Sequence, residues 1–384
     1  MTDLTGFVDA SEASRRLGIR AASLYSYVSR GLVRTRPQPD DPRARLYSLA
    51  DIDALAEKKR RQRRPAMAAA TALDWGMPVL PTHLSSIEAD RLSFRGHDAV
   101  TLAETATLED IAALLWEMGP VAFRGRIGWE PPPDGTPIDR AVAALAADLP
   151  TALPGEAGTR LLTRAARLVR TIASAAIGRW LVDGPLHRAM AETWQAPAAA
   201  DAIRRALVLA ADHELNASSF AVRVTASTGA SLTHALIAGL VTLSGPAHGG
   251  ATRRVAAFLD EIGRTGDAES AVAARLARGE AIPGFGHRLY PDGDPRAGAL
   301  LGAVPLGERE RAFLDAARDA TGLAPSIDVA LVLLERTFRL PRDAALTLFA
   351  TARSVGWIAH ALEQAASGQL IRPRARYVGP TLGD

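Results

Sequence analysis

Three loops of the 384-residue chain carry residue types that packing alone would not select. The first reads Ala211-Asp212-His213-Glu214-Leu215-Asn216-Ala217-Ser218, the second Ser244-Gly245-Pro246-Ala247-His248-Gly249-Gly250-Ala251, and the third Ile282-Pro283-Gly284-Phe285-Gly286-His287-Arg288-Leu289-Tyr290. The third runs on to Asp294-Pro295-Arg296. Glycines beside His248 and around His287 let backbone and ligand approach closely. An imidazole so placed is suited to proton transfer or to donating a hydrogen bond to a polarised carbonyl. The histidines have no second ligand at helix spacing, so no zinc site is expected. The glycine loops follow no clear strand and lack the spacing that cradles a nucleotide phosphate.

The elements that must hold these loops read as helices. Apolar residues recur at three- and four-residue spacing over Leu108–Met118, Leu161–Ile177, Ala202–Asp212, Ser218–Ala226, Ala251–Glu261, Arg309–Thr321, Asp328–Thr337 and Arg342–Ala366. Strand-like alternation is confined to Val79–Arg95. A mainly α body follows. Within it Phe349, Arg353 and Trp357 stand four residues apart, so Arg353 lies on an aromatic stripe, as an anion ligand or as a snorkelling side chain. Asp328, read locally, is an N-cap of a helix beginning at Val329. His83, His97, His187, His234 and His360 read as structural or surface residues.

Composition narrows the class. Hydrophobic residues make up 48% and cysteine is absent, which excludes a disulfide framework, a thiolate metal site and a cysteine nucleophile. The apolar run near Ala235–Leu243 is too short to span a bilayer, and Met1 to Ala10 does not read as a secretory signal. A cytoplasmic protein without membrane attachment is expected. The formal charge is +3, and 43 of the 45 basic residues are arginine. That charge is unevenly placed: residues 1–64 carry +6 and the remainder −3. A basic head on an acidic body suits a polyanion partner.

The head has its own order. Asp9 or Ser11 caps a helix carrying Ala13 and Leu17 inward, Gly18 stops it, and Ala21–Arg30 forms a second helix with Leu24, Tyr27 and Val28 on one face. A hairpin across the Arg34–Arg45 loop and a third helix from Ser48 into Lys58–Arg64 complete it. Leu17-Gly18-Ile19, Leu24-Tyr25-Ser26-Tyr27, Gly31-Leu32-Val33, Arg45-Leu46-Tyr47-Ser48 and Asp51-Ile52 resemble the MerR-type winged helix-turn-helix pattern. The resemblance implies possible DNA contact through residues 9–64, with Arg43, Arg45 and the basic run on phosphates.

The body resembles citrate synthase. The resemblance rests on Asp212–Ser218, Gly245–Gly250, Gly284–Tyr290 with Asp294-Pro295-Arg296, Ile327-Asp328, Ala352-Arg353 with Gly356-Trp357, and Arg372-Pro373-Arg374-Ala375-Arg376-Tyr377, all in family order. It implies condensation of an acyl-CoA, normally acetyl-CoA, with oxaloacetate, then thioester hydrolysis, with no metal and no tightly bound cofactor. In that reading Asp328 is the base, His248 the enolate donor, and His287 the group that polarises the ketone. His213, Asn216, Arg296, Arg353 and Arg372 hold oxaloacetate, Phe349 shapes the pocket, and Gly284, Phe285 and Gly286 line the CoA. The family pattern also implies a homodimer in which Arg372 reaches the partner's site. The expected layout is a winged helix-turn-helix domain over 1–64, a linker over 65–75, a large domain over 76–251 and 340–384, and a small domain over 252–339. A preference for propionyl-CoA, giving 2-methylcitrate, and a metabolite-sensing regulator with weak turnover are the other readings.

Overall fold

Caps written into the sequence set where many of the helices begin. The structure is a computed structural model that describes residues 6–17, 19, 24, 27–28, 32–38, 44–56, 80–125, 134–152, 156, 158–375 and 377–379. It divides into two units, Met1–Pro81 and Thr82–Asp384.

In the first unit, strands β1 (Phe7–Val8), β2 (Thr35–Pro37) and β3 (Arg45–Ser48) form an antiparallel sheet in the order β1-β3-β2. Helix α1 (Ala10–Leu17) is capped by Asp9, whose Oδ1 accepts the Glu12 N–H at 2.8 Å. Ala13 and Leu17 point inward as the spacing predicts, and they share a core with Leu24, Val33, Tyr47 and Ile52. Residues 49–56 form helix α2. The β2–β3 hairpin stands where the sequence places one. Arg34 and Asp51 pair through two 2.9 Å hydrogen bonds, which tie the hairpin to α2. Of the expected second helix, Leu24, Tyr27 and Val28 are helical; Arg43, the Lys58–Arg64 run and the 65–75 linker lie outside the described residues.

The second unit opens with an antiparallel meander, β4 (Ser85–Glu88), β5 (Arg91–Phe94) and β6 (His97–Asp98), matching the alternating stretch of the sequence. Its described remainder is helical. The helices are α3 (Ala99–Thr105), α4 (Leu108–Trp116), α5 (Pro137–Asp148), α6 (Gly158–Ile177), α7 (Leu186–Thr193), α8 (Ala200–Leu209), α9 (Ala217–Ser227) and α10 (Leu232–Leu243). They continue as α11 (Gly250–Thr265), α12 (Ala268–Ala277), α13 (Pro295–Leu301), α14 (Glu308–Thr321), α15 (Ile327–Thr337) and α16 (Ala344–Ser367). Capping boxes of Thr107 with Asp110 and Thr136 with Asp139 start α4 and α5.

Helix α16 is the axis of the unit. Its 24 residues pack against α4, α6, α8, α9 and α10, so Trp357 and Arg353 are almost wholly enclosed. A helix surrounded in this way is apolar on nearly every face. Helices α11 and α15 pack together and both touch α16. The chain enters α11 just after His248 and α15 just before Asp328, so that packing brings two distant loops to one place.

Candidate functional site

The first loop is gripped from both sides. The Ser85 hydroxyl donates to Asp212 Oδ2 at 2.5 Å and accepts the Glu214 N–H at 3.0 Å, while the Ile87 N–H donates to Glu214 Oε1 at 2.8 Å. Glu214 adopts a left-handed backbone, φ +49°, which turns the chain sharply after His213. On the other side His360 Nε2 sits 3.2 Å from Asp212 Oδ1, both side chains fully buried. His213 is thereby fixed. Burial, then the guanidinium groups of Arg296 and Arg353, hold its imidazole well below the ordinary histidine range.

His213 Nε2 lies 2.9 Å from the Tyr290 hydroxyl, and its ring meets that of His287 edge to face at 5.3 Å. The Leu289 N–H donates to His287 Nδ1 at 3.2 Å. Burial and Arg296 depress the His287 pKa, so the ring is neutral and its single proton belongs on Nε2, a donor. Arg296, in the first turn of α13, meets Asp294 with two parallel 2.9 Å hydrogen bonds. Asp294 Oδ2 also accepts the Ile327 N–H at 2.9 Å, which ties α13 to the start of α15. Arg353 rises from α16 with its guanidinium 4.7 Å over the Phe349 ring and its Nε–H donating to the Ala210 carbonyl at 3.0 Å. Burial pulls its pKa down to about 10, still a cation at neutral pH.

Asp328 follows Ile327 in the first turn of α15. The helix begins two residues before the position read locally, with Ser326 at the N-cap, so Asp328 is a first-turn carboxylate and not a cap. Desolvation raises its pKa, making the carboxylate a stronger base, while Arg296 pulls the other way. His248 sits between α10 and α11. A Cβ on Gly249 would collide with the Leu243 carbonyl oxygen, to which the Gly249 N–H donates at 3.0 Å, so only glycine permits this turn. His248 Nε2 lies 2.9 Å from Ser218 Oγ, and the Trp357 indole N–H donates to the same oxygen at 3.1 Å. Burial first and Arg353 second push the His248 pKa down to about 4. Arg353 thus acts electrostatically on His213 and His248, and Asp328 acts on it in turn.

Over residues 136–374 the sequence matches the family described as citrate synthase, C-terminal domain. The chain belongs to the citrate synthase family. It is 31% identical to citrate synthase 2 of Bacillus subtilis over 352 residues, 79% of this chain and 95% of that one. With the citrate synthase of Haloferax volcanii it shares 40% over 191 residues, 47% of this chain and 50% of the relative. The chain spans about half the length of several curated relatives it matches, 54% for the mycobacterial ones. The crystal structure of citrate synthase from Thermotoga maritima superposes with a TM-score of 0.66 at 26% identity, covering 80% of this chain and 96% of that one.

Of the residues named from the sequence, His213, His287 and Arg296 gather around Tyr290, and Phe349 lies beneath the Arg353 guanidinium. The Asn216 oxygen caps α9, accepting the N–H groups of Ser218 and Ser219 at 3.1 Å and lying 2.7 Å from the Ser218 hydroxyl oxygen. The Asn216 amide nitrogen is buried and has no hydrogen-bond partner among the described residues. The Phe285 ring packs edge-on against Phe313 at 5.5 Å inside the core. The Gly286 N–H donates to Ala324 O and the Ser326 N–H to Gly284 O, both at 2.8 Å, a bridge that holds the His287 loop against the approach to Asp328. Gly284 and Gly286 serve that bridge. Arg372 is exposed on the tail after α16, which the Ile371 N–H anchors to Ser227 Oγ at 3.1 Å, and it does not join this chain's cluster. Ser218, Tyr290, Asp294 and Trp357 were given no role from the sequence, although all four stand inside the quoted motifs.

Proposed function

We propose that the chain condenses acetyl-CoA with oxaloacetate, giving citrate and CoA. The observation that carries this reading is the convergence of Asp328, His248 and His287 around the Arg353 and Arg296 guanidiniums in a chain of the citrate synthase family. A methyl group beside a thioester is a weak acid, so its deprotonation needs a carboxylate base and a donor on the forming enolate oxygen. Asp328 takes the proton and His248 donates to the enolate oxygen. His287 Nε2–H polarises the ketone and delivers its proton to the alkoxide as the carbon–carbon bond forms. Water then hydrolyses the thioester and releases CoA.

Oxaloacetate is a dianion, which suits the cationic floor of the site. Arg296 gives two of its five N–H groups to Asp294 and keeps three. Arg353 gives one to Ala210 O and keeps four. The deciding measurement is release of CoA thiol across a panel of acetyl-CoA and propionyl-CoA against several 2-oxo acids, with Asp328→Ala as control. Loss of roughly 10²- to 10⁴-fold is expected in that variant; retained turnover overturns the reading. A higher kcat/KM with propionyl-CoA assigns 2-methylcitrate instead.

We also read the chain as a homodimer in which the partner's tail supplies the residue equivalent to Arg372. In support, Leu370, Tyr377 and Val378 of the tail are 58%, 75% and 81% exposed in the single chain. A monomeric mass in solution overturns this. The N-terminal unit we infer to be a winged helix-turn-helix module that meets DNA phosphates, supported by the β2–β3 hairpin, the α1 core and the +6 charge of residues 1–64. Its test is a binding isotherm on duplex DNA at two salt concentrations, where binding must weaken as salt rises.

A further inference from the structure

Tyr290 is 1% exposed, yet its hydroxyl stands among the groups read above as the anion site. It lies 2.9 Å from His213 Nε2; the phenol ring is tilted by 37° against His287 with centroids 4.9 Å apart; and Arg296 Cζ sits 5.4 Å above it. Hydrophobic packing explains the ring but not the hydroxyl, which phenylalanine would omit at no cost in volume. We propose that Tyr290 is itself a ligand of the oxo-dicarboxylate substrate, its O–H donating to a carboxylate that Arg296 and Arg353 hold, and that it selects dicarboxylates over 2-oxo monoacids. The inference rests on the condensing activity proposed above.

The chemistry is direct. Burial raises the phenol pKa, so the group keeps its proton and acts as a donor across the neutral range. His213 is depressed and neutral, so it brings one ring proton and one bare nitrogen to the contact. In the structure the two groups satisfy each other. An arriving carboxylate offers a better acceptor than a neutral imidazole, and the phenol O–H reaches it by rotation about the Cζ–Oη bond alone, with no movement of the ring. A 2-oxo monoacid has one carboxylate fewer and leaves part of this donor set unmet, the condition under which a site rejects a substrate strongly.

The test is Tyr290→Phe, with oxaloacetate binding measured by calorimetry in the absence of acyl-CoA. The dissociation constant should rise by roughly 10- to 100-fold, the range of one hydrogen bond to a charged group, while KM for acyl-CoA stays within about twofold. Oxaloacetate should also lose ground to pyruvate in the variant. An unchanged dissociation constant overturns the proposal, even if kcat falls. Failure of the wild-type chain to bind oxaloacetate overturns the functional reading itself, which separates the two failures. Should the variant not fold, fluorotyrosine incorporated at the five tyrosines reports the same contact. One resonance should move with oxaloacetate and not with acyl-CoA, and no movement overturns the proposal.

Discussion

Ser218 Oγ lies 2.9 Å from His248 Nε2 and 2.7 Å from Asn216 Oδ1, and a hydroxyl has one proton to give. Trp357 fills one lone pair of the same oxygen from the opposite helix. If the proton turns to His248, the neutral ring keeps its own proton on Nδ1, where it serves as a donor. If it turns to Asn216, the ring must donate to Ser218. The serine therefore selects the tautomer of the histidine proposed to stabilise the enolate.

Ser218→Ala should lower kcat by roughly 10- to 100-fold with little change in KM for oxaloacetate, because a misaligned donor costs about that much. It also strands the buried Trp357 N–H, at about 1–3 kcal/mol of stability. Steady-state kinetics and a urea melt read the two effects separately. Unchanged kcat would show that His248 needs no help from Ser218.

Asp294→Asn should be costly to both stability and binding. The Arg296–Asp294 pair is buried, and removing one partner leaves a buried charge, worth about 3–5 kcal/mol. Desolvation alone would raise the Asp294 pKa, but Arg296 and the Ile327 N–H outweigh it and the net shift is downward. A depressed carboxylate contributes stability that is present above its unfolded pKa, near 3.9, and is lost as pH falls through the folded value. Wild type should accordingly lose more stability than the variant as pH drops from about 5 to 2, followed by denaturant midpoints.

How much of this was open to sequence reading depends on the span of each contact. His213, His248 and His287 announce themselves locally, by glycine or polar neighbours within a few positions. Asp328 does not: alone it resembles a helix cap, and its role came from resemblance to a family. Tyr290 reaches His213 across 77 residues, Ser218 reaches His248 across 30, and Asp294 reaches Ile327 across 33. Periodicity carries no record of such pairings, so these partners were passed over. Helix α10 was read as an apolar run because nearly all of its faces are apolar, and α13 is too short to show a period.

Gly284→Ala should harm both fold and site. Gly284 holds φ +79°, and a Cβ there would lie 2.5 Å from Val329 Cγ2 and 2.7 Å from Val255 Cγ2. Those valines belong to α15 and α11, the helices that begin beside Asp328 and His248. Overpacking of this kind costs about 1–3 kcal/mol, with the left-handed backbone adding to it. Relief by Val329→Ala in the double variant, judged by the melting midpoint, would show that the clash and not the backbone dominates.

The histidines set a pH dependence with a definite sign. His248 is drawn down to about 4, and His213 and His287 are also depressed, each chiefly by burial. In the unfolded chain these rings titrate near 6.5, so between about 6.5 and 4 the unfolded state binds more protons than the folded one. Stability then rises with pH through that window and levels off above it. His248→Asn should flatten the slope by at most one proton, measured from denaturant midpoints at several pH values. Turnover should follow a different group. Neutral histidines are already in their working form at pH 7, so the acid limb of kcat belongs to Asp328, whose raised pKa places it above the ordinary carboxylate range. A limb that vanished in Ser218→Ala but survived unaltered in Asp328→Glu would assign it to His248 and refute this division of roles.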